Sequence, residues 1–189
     1  VVEPAPVASA EPTPAAPKAK RRRPRWQRWG IEALIVVGIF SLAQVWHRRN
    51  LVPSDGRPVP TVALHDLDGN AVTLANWHGK RVQLHFWTTW CSVCKMEYGA
   101  LNAVQADLPD DAALVTIVAD GEDPARIKAY IAEHGLTYPV LLGNPEAIAA
   151  FGVSSFPTNF FVSPEGTLSS SDVGWSTRWG MRWRLGCAE

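Results

Sequence analysis

The sequence predicts an α/β domain whose sheet is covered by helices on both faces, preceded by one transmembrane helix. Three observations carry that fold class. Between residues 58 and 189, β-rich apolar runs alternate with helical patterns of roughly 10–14 residues. An apolar stretch, GIEALIVVGIFSLAQVW, fills residues 30–46. Charge also divides the chain in two. The formal net charge is zero, yet residues 1–50 hold nine Lys/Arg against three acids, and residues 51–189 hold nine against fifteen. At 189 residues and 47% hydrophobic, the chain suits one domain with appendages and excludes a fully disordered or collagen-like protein. The acidic body argues against nucleic acid as a partner.

Residues 1–17 are almost all Ala, Pro, Val and acids, with five of the fifteen prolines, and are expected to be disordered. A basic run comes next, with seven positive charges from Lys18 to Arg28. Such a run reads as a solvated tail, a nucleic-acid contact or a topology signal, and the apolar stretch after it decides among them. The stretch from Gly30 contains one acid, Glu32, and one amide, Gln44, and Trp26, Trp29 and Trp46 flank it. With those interfacial residues it reaches about 20 residues, enough to span a bilayer. Seven basic residues before it outweigh His47-Arg48-Arg49 after it, which places the N-terminus in the cytoplasm and the basic run against anionic lipid. A buried soluble helix is the competing reading. A cleaved leader ending near Ser41-Leu42-Ala43 is another, but the polar stretch ahead is far longer than a leader's usual charged start. The expected organisation is a cytoplasmic tail at 1–29, a transmembrane helix at 30–47, a linker at 48–57 and a folded domain at 58–189.

Within the domain, residues 59–74 read as two strands around Asp68-Gly69-Asn70, where Asp-Gly-Asn supplies positive φ values for a tight hairpin. Residues 81–87 form a β-rich run. Helical spacing then extends to Leu108, with Met96, Leu101, Val104 and Leu108 on an apolar face. Residues 114–119 read as a buried strand. Asp123-Pro124 caps and opens a helix that Gly135 stops near His134. Residues 138–142 form a strand, Asn144-Pro145 starts another helix, and residues 158–163 form a strand.

The chemistry centres on Cys91-Ser92-Val93-Cys94. With a strand ending just before it, the pair sits at a helix N-terminus, where free N–H groups and the helix dipole favour negative charge. Cys91, at the exposed end, is expected to attack, and Cys94, one turn in, to resolve the mixed disulfide. A structural disulfide more often closes a long loop. A zinc site would need two more ligands, and only Cys187 and five unpaired histidines remain, so no metal and no cofactor is expected. Peroxidase chemistry in a related fold would want Pro seven residues before the first cysteine. Leu84 stands there, although Thr88 matches the T-x-x-C half of that motif.

The run FWTTWCSVCKME (86–97) resembles the active-site signature of membrane-anchored thioredoxin-like thiol–disulfide oxidoreductases of the TlpA/ResA/DsbE type. The resemblance covers roughly 58–185 and includes the D-L-D-G-x-x-V-x-L hairpin, Gly79-Lys80 before the first core strand, and Phe156-Pro157-Thr158. The closing run at 173–185 is similar to that of ScsD-like proteins linked to copper tolerance. The resemblance implies a thioredoxin-like fold with a central mixed sheet. It also implies a cis Pro157 against the cysteine pair, with Phe156, Pro157 and Thr158 receiving a substrate strand. Without the cysteine motif, Phe-Pro reads as an ordinary trans turn. Glu97 matches an acid that tunes the site in the reductase branch, whereas alone it reads as part of a solvated face. Gly99 stands where that group often has Pro. Trp90 and Lys95 flank the cysteines and are taken as further tuning residues. A freely solvated lysine is the plainer reading of Lys95.

His85 lies six residues before Cys91, where thioredoxin keeps a buried, proton-relaying acid. It is expected to accept the Cys94 proton, unless strand alternation turns it away. Trp175, Trp179 and Trp183 recur every four residues, either as the core face of a last helix or as an interfacial helix on a membrane. Cys187 is expected to be a free thiol or a packing residue.

These readings converge on a dithiol reductase in the bacterial inner membrane, with its catalytic domain in the periplasm. Its partners would be disulfide-containing periplasmic proteins, an inner-membrane electron donor and membrane lipid. The alternatives are an oxidase using the same residues in reverse and a non-catalytic copper- or thiol-binding module.

Overall fold

The computed structural model describes residues 25–48 and 51–188, so residues 1–24 of the tail expected at 1–29 lie outside the described residues. The chain divides into two compact units between Ile39 and Phe40. Helix α1 covers Arg25–Arg48, so its first five residues fall within the expected tail. From Trp29 to Ala43 every side chain is exposed, including Leu34, Ile39, Phe40 and Leu42. Among the described residues, no helix is long and apolar enough to cross a membrane.

The domain from Leu51 onward is a seven-stranded mixed sheet in the order β2-β1-β5-β4-β3-β6-β7. Its strands are β1 (Ala63–Asp66), β2 (Ala71–Thr73), β3 (Arg81–Trp87), β4 (Ala112–Val118), β5 (Val140–Leu142), β6 (Thr158–Val162) and β7 (Leu168–Val173). β3 pairs in parallel with β4 and antiparallel with β6, so it is an interior strand next to β4, the middle strand of the seven. The helices are α2 (Ser92–Ala106), α3 (Pro124–His134), α4 (Pro145–Phe151) and α5 (Arg178–Gly186).

Alternation along β3 sorts two core layers. Val82, Leu84 and Phe86 face Phe151, Phe160 and Ala147 under α4. Trp87 faces the other layer, with Cys91, Cys94, Leu101, Val104 and Ile127 under α2 and α3. Gln83 and His85 share that second face and are fully buried, an unusual cost in a core strand unless partners are supplied.

The caps follow the sequence. The Asp123 carboxylate accepts from the Ala125 and Arg126 amides, Pro124 opens α3, and Gly135 closes it in the left-handed region. In the hairpin only Gly69 takes a positive φ. Asn70 does not, because the Asp66 carboxylate closes the turn by accepting from the Asp68 and Asn70 amides.

Three expectations are corrected. The segment read as a linker is part of the domain from Leu51: that side chain is buried under α4, and Val52 and Gly56 donate to the Phe151 and Leu168 carbonyls. β7 escaped the sequence reading because its Ser169-Ser170-Ser171 centre has no apolar alternation; it is an edge strand held by backbone pairing to β6. Met96, assigned to the apolar face of α2, is exposed, and Glu97 and Tyr98 are buried there instead.

Candidate active site

The cysteines follow the C-terminal end of the interior strand β3. β3 ends at Trp87, the chain turns through Thr88-Thr89-Trp90, and Cys91 becomes the N-cap of α2. Cys91 and Cys94 are joined as a disulfide with 5.3 Å between their Cα atoms. The Cys94 amide donates to Cys91 Sγ at 3.1 Å, so an N–H of the first helical turn is aimed at that sulfur. Cys94 is fully buried, and Cys91 retains slight exposure.

The turn carrying Cys91 is braced from behind. The Thr89 amide donates to Asp120 at 3.0 Å, Arg126 donates to the Thr89 hydroxyl, and the Tyr130 hydroxyl donates to the Thr89 carbonyl at 3.0 Å. Sequence reasoning missed these supports because Asp120, Arg126 and Tyr130 lie more than thirty residues from the turn they hold. Lys95 extends over the Tyr130 ring, its ammonium 5.8 Å from the centroid. Its charge therefore serves a cation–π contact in this brace.

Phe156-Pro157 is cis, and Cys91 Sγ lies 3.6 Å from the Phe156 carbonyl. Trp90 is exposed and sets its ring edge-on to Phe156 at 6.1 Å. An open groove lined by Thr88, Trp90, Asn144, Ile148, Val153 and Phe156 includes the residue that precedes Cys91 and the one whose carbonyl faces its sulfur. Thr158 does not reach that groove. Its hydroxyl is buried and donates to the Ser155 carbonyl, so it shapes the cis-proline loop from within.

Behind the disulfide lies a buried polar cluster. His85 stands opposite Asn159 in the β3–β6 register, and its Nδ1 pairs with Asn159 Oδ1 at 2.9 Å. The same oxygen accepts from Gln83 Nε2 at 2.9 Å. Because an amide oxygen only accepts, His85 Nδ1 carries the proton and Nε2 presents its lone pair. Nε2 faces Glu97 Oε2 at 4.0 Å, and neither atom has a hydrogen-bond partner.

The other Glu97 oxygen accepts from the Ser176 amide, and the Ser176 hydroxyl donates to Asp172, which also pairs with Arg184. Burial, with Asp172 adding to it, pushes the Glu97 carboxyl up to about 8. Burial pushes His85 down to about 4, against a smaller upward pull from Asn159. Glu97 is thus buried rather than part of a solvated face. His85 points toward the cysteine side of the sheet, but it is too weak a base to take a thiol proton readily. Asn159, Asp172 and Ser176 went unrecognised in the sequence. The available signal was the polar pair Gln83 and His85, two residues apart in an apolar strand.

Leu84, at the position where a peroxidase motif would want Pro, is buried in the opposite core layer. Among the described residues, no group of three or more His, Cys, Asp or Glu is placed to hold a metal. Cys187 is an exposed free thiol.

A reversible Cys-x-x-Cys disulfide at a helix start, faced by a cis-proline on a mixed sheet, defines a thioredoxin-like redox domain. Residues 56–171 match the AhpC/TSA family, and the chain belongs to that family. It is 27% identical over 165 residues to the thioredoxin-like protein YneN of Bacillus subtilis, covering 84% of this chain and 97% of that one. It is 26% identical over 160 residues to the thiol-disulfide oxidoreductase ResA of the same organism, covering 84% and 89%. Among solved structures, a thiol:disulfide interchange protein of the thioredoxin family from Chlorobium tepidum is similar, with a TM-score of 0.63 and 26% identity, covering 72% of this chain and 99% of that one. These similarities bear out the resemblance to thioredoxin-like thiol–disulfide oxidoreductases expected from residues 86–97.

Proposed function

We propose that this protein is a membrane-tethered thiol–disulfide oxidoreductase that reduces disulfides in substrate proteins through Cys91 and Cys94. The observation that supports this most is the geometry of Cys91. Its sulfur is the outer one of the pair, receives the first-turn amide of α2, and faces the carbonyl of Phe156, which with Trp90 lines an open groove. The Cys91 thiolate attacks one sulfur of a substrate disulfide. That S–S bond breaks, and the departing substrate thiolate takes a proton. Cys94 then loses its proton and attacks Cys91 Sγ, releasing the second substrate thiol and leaving the Cys91–Cys94 disulfide to be reduced by a dithiol donor. Phe156 offers backbone groups to the substrate strand, and Pro157 keeps that strand beside the sulfur. Glu97, one turn beyond Cys94 on the same buried face of α2, is a carboxyl poised to exchange a proton near neutral pH, and the Ser176 amide holds it.

Direction is set by potential. A two-electron potential of the full chain near the thioredoxin value of about −270 mV is expected from a glutathione redox titration. A value near about −120 mV, that of a strong oxidant, would reverse the reading to an oxidase.

The tether is residues 30–47. Residues 33–43 of α1 carry one polar side chain, Ser41, which suits a helix surrounded by lipid, and the basic residues before the apolar stretch orient the N-terminus to the cytoplasm. The catalytic domain then lies in the periplasm, where disulfide-containing proteins are its substrates and an inner-membrane donor recharges it. The exposed Cys187 thiol reads this topology. A membrane-impermeant maleimide is expected to label it in intact spheroplasts, and labelling only after lysis would place the domain on the other side.

A further inference from the structure

From Leu51 onward, the large apolar side chains that stand exposed among the described residues are Trp90, Val93, Met96, Trp175, Trp179 and Trp183. Single exposed apolar residues scattered over a surface are ordinary, but a contiguous set marks an interaction site. The segments that carry these six are linked in turn. Trp90 packs on Phe156 beside the reactive sulfur, and Val93 and Met96 lie on the outward side of the first turns of α2. The Gly174 amide donates to the Pro157 carbonyl at 2.8 Å, and the Ser176 amide donates to the Glu97 carboxylate. Trp175 is therefore held between the cis-proline loop and α2. Helix α5 continues from there, its Arg178 and Arg182 both reaching the Asp107 carboxylate at the end of α2. It buries Met181 and Leu185 and turns Trp179 and Trp183 outward, one turn apart and 84% and 69% exposed. The sequence reading of this stripe as core is thus corrected: Met181 and Leu185 supply the buried face, leaving the tryptophans without an intramolecular role.

We propose that this band is the docking surface for a protein redox partner that presents an extended apolar segment beside its own disulfide or dithiol. The proposal rests on the oxidoreductase reading of Cys91 and Cys94. Continuity with the reacting sulfur carries it, because Trp90 is the residue next to Cys91 and Trp175 is held by its neighbours' hydrogen bonds to the cis-proline loop and to Glu97 of α2. The local chemistry is apolar rather than ionic: Arg178 and Arg182 are paired with Asp107, and Arg184 with Asp172. A lipid surface fits less well. The chain joins the domain at Leu51, in the core layer under α4, on the sheet face opposite α2 and α5. Tryptophans desolvated at the centre of an interface are the residues that most often dominate its affinity.

The test uses the full chain in phosphatidylcholine nanodiscs and compares it with the double variant Trp179→Gln, Trp183→Gln. Three probes are used: a synthetic disulfide-loop peptide followed by a Leu/Phe segment, the same loop followed by Gly/Ser, and cystine. The unsubstituted chain is expected to reduce the Leu/Phe peptide about tenfold more efficiently in kcat/KM than the Gly/Ser peptide, and equally so at low and high salt. The double variant should lose that advantage and treat cystine as before. Equal rates on both peptides would overturn the docking surface while leaving the oxidoreductase intact. Failure to reduce any probe would overturn the oxidoreductase reading itself. Two other results would also overturn the proposal. One is an unchanged peptide advantage with variant-sensitive quenching of tryptophan by brominated lipid, which makes the face a lipid contact. The other is variant-sensitive self-association by sedimentation, which makes it a dimer contact.

Discussion

Cys94→Ala is expected to reduce turnover by at least about a thousandfold and to leave Cys91 captured in a mixed disulfide with substrate. Cys91→Ala should lose turnover to the same extent but capture nothing. The asymmetry follows from depth and from the helix. Cys94 is fully buried inside the first turn of α2, whereas Cys91 is its N-cap and keeps some exposure next to the groove. An incoming disulfide can align in line only with the outer sulfur. The Cys94 amide, 3.1 Å from Cys91 Sγ, stabilises charge on that sulfur and not on its own. Non-reducing electrophoresis with mass spectrometry of the adducts checks the assignment. Capture by the Cys91→Ala protein would reverse the two roles. Cys187→Ser serves as background because that exposed thiol could otherwise form adducts of its own, and it should leave turnover unchanged.

The parts of this site legible in the sequence were those encoded by neighbours in the chain. A strand, a short turn, two cysteines one helical turn apart and the caps Asp123 and Asn144 are local signals, and the structure places them as read. What sequence could not supply is made by register. His85 meets Asn159 because β3 and β6 run antiparallel with those residues opposite, a pairing across 74 positions. Glu97 meets Ser176 across 79 positions, through a segment that comes after an edge strand with no apolar pattern. The tryptophan spacing of four was visible, but spacing alone does not say which face of α5 is buried. Met181 and Leu185 decide that by fitting under the helix, where three indole rings at positions 175, 179 and 183 would have to share the volume.

Opposed pKa shifts in the buried His85–Glu97 pair make stability insensitive to pH over one window and sensitive over the next. Glu97 is raised from 4.5 to about 8 in the fold, and His85 is lowered from 6.5 to about 4. Between pH 4.5 and 6.5 the unfolded chain holds a proton on His85 and none on Glu97, while the folded chain holds one on Glu97 and none on His85. Both states bind the same number, so the pair contributes no slope there. Between pH 6.5 and 8 the unfolded chain binds neither proton and the folded chain still binds one on Glu97. Stability therefore falls as pH rises, by about 2 kcal/mol across that interval. Glu97→Gln removes this fall and exposes the contribution of His85 alone, a rise of about 3 kcal/mol from pH 4 to 6.5 followed by a plateau. His85→Asn does the opposite: the Glu97 fall should then extend over the whole range from pH 4.5 to 8. Urea midpoints of the oxidised protein, taken by tryptophan fluorescence across this range, give the three profiles. Comparing each variant with the unsubstituted chain cancels groups common to all. Parallel profiles for all three proteins would mean that the pair holds its protons in the fold as it does in water. The same carboxyl should shape catalysis, since a group titrating near pH 8 one turn from Cys94 places a limb in the pH profile of mixed-disulfide release, and that limb should vanish in Glu97→Gln while attack by Cys91 remains.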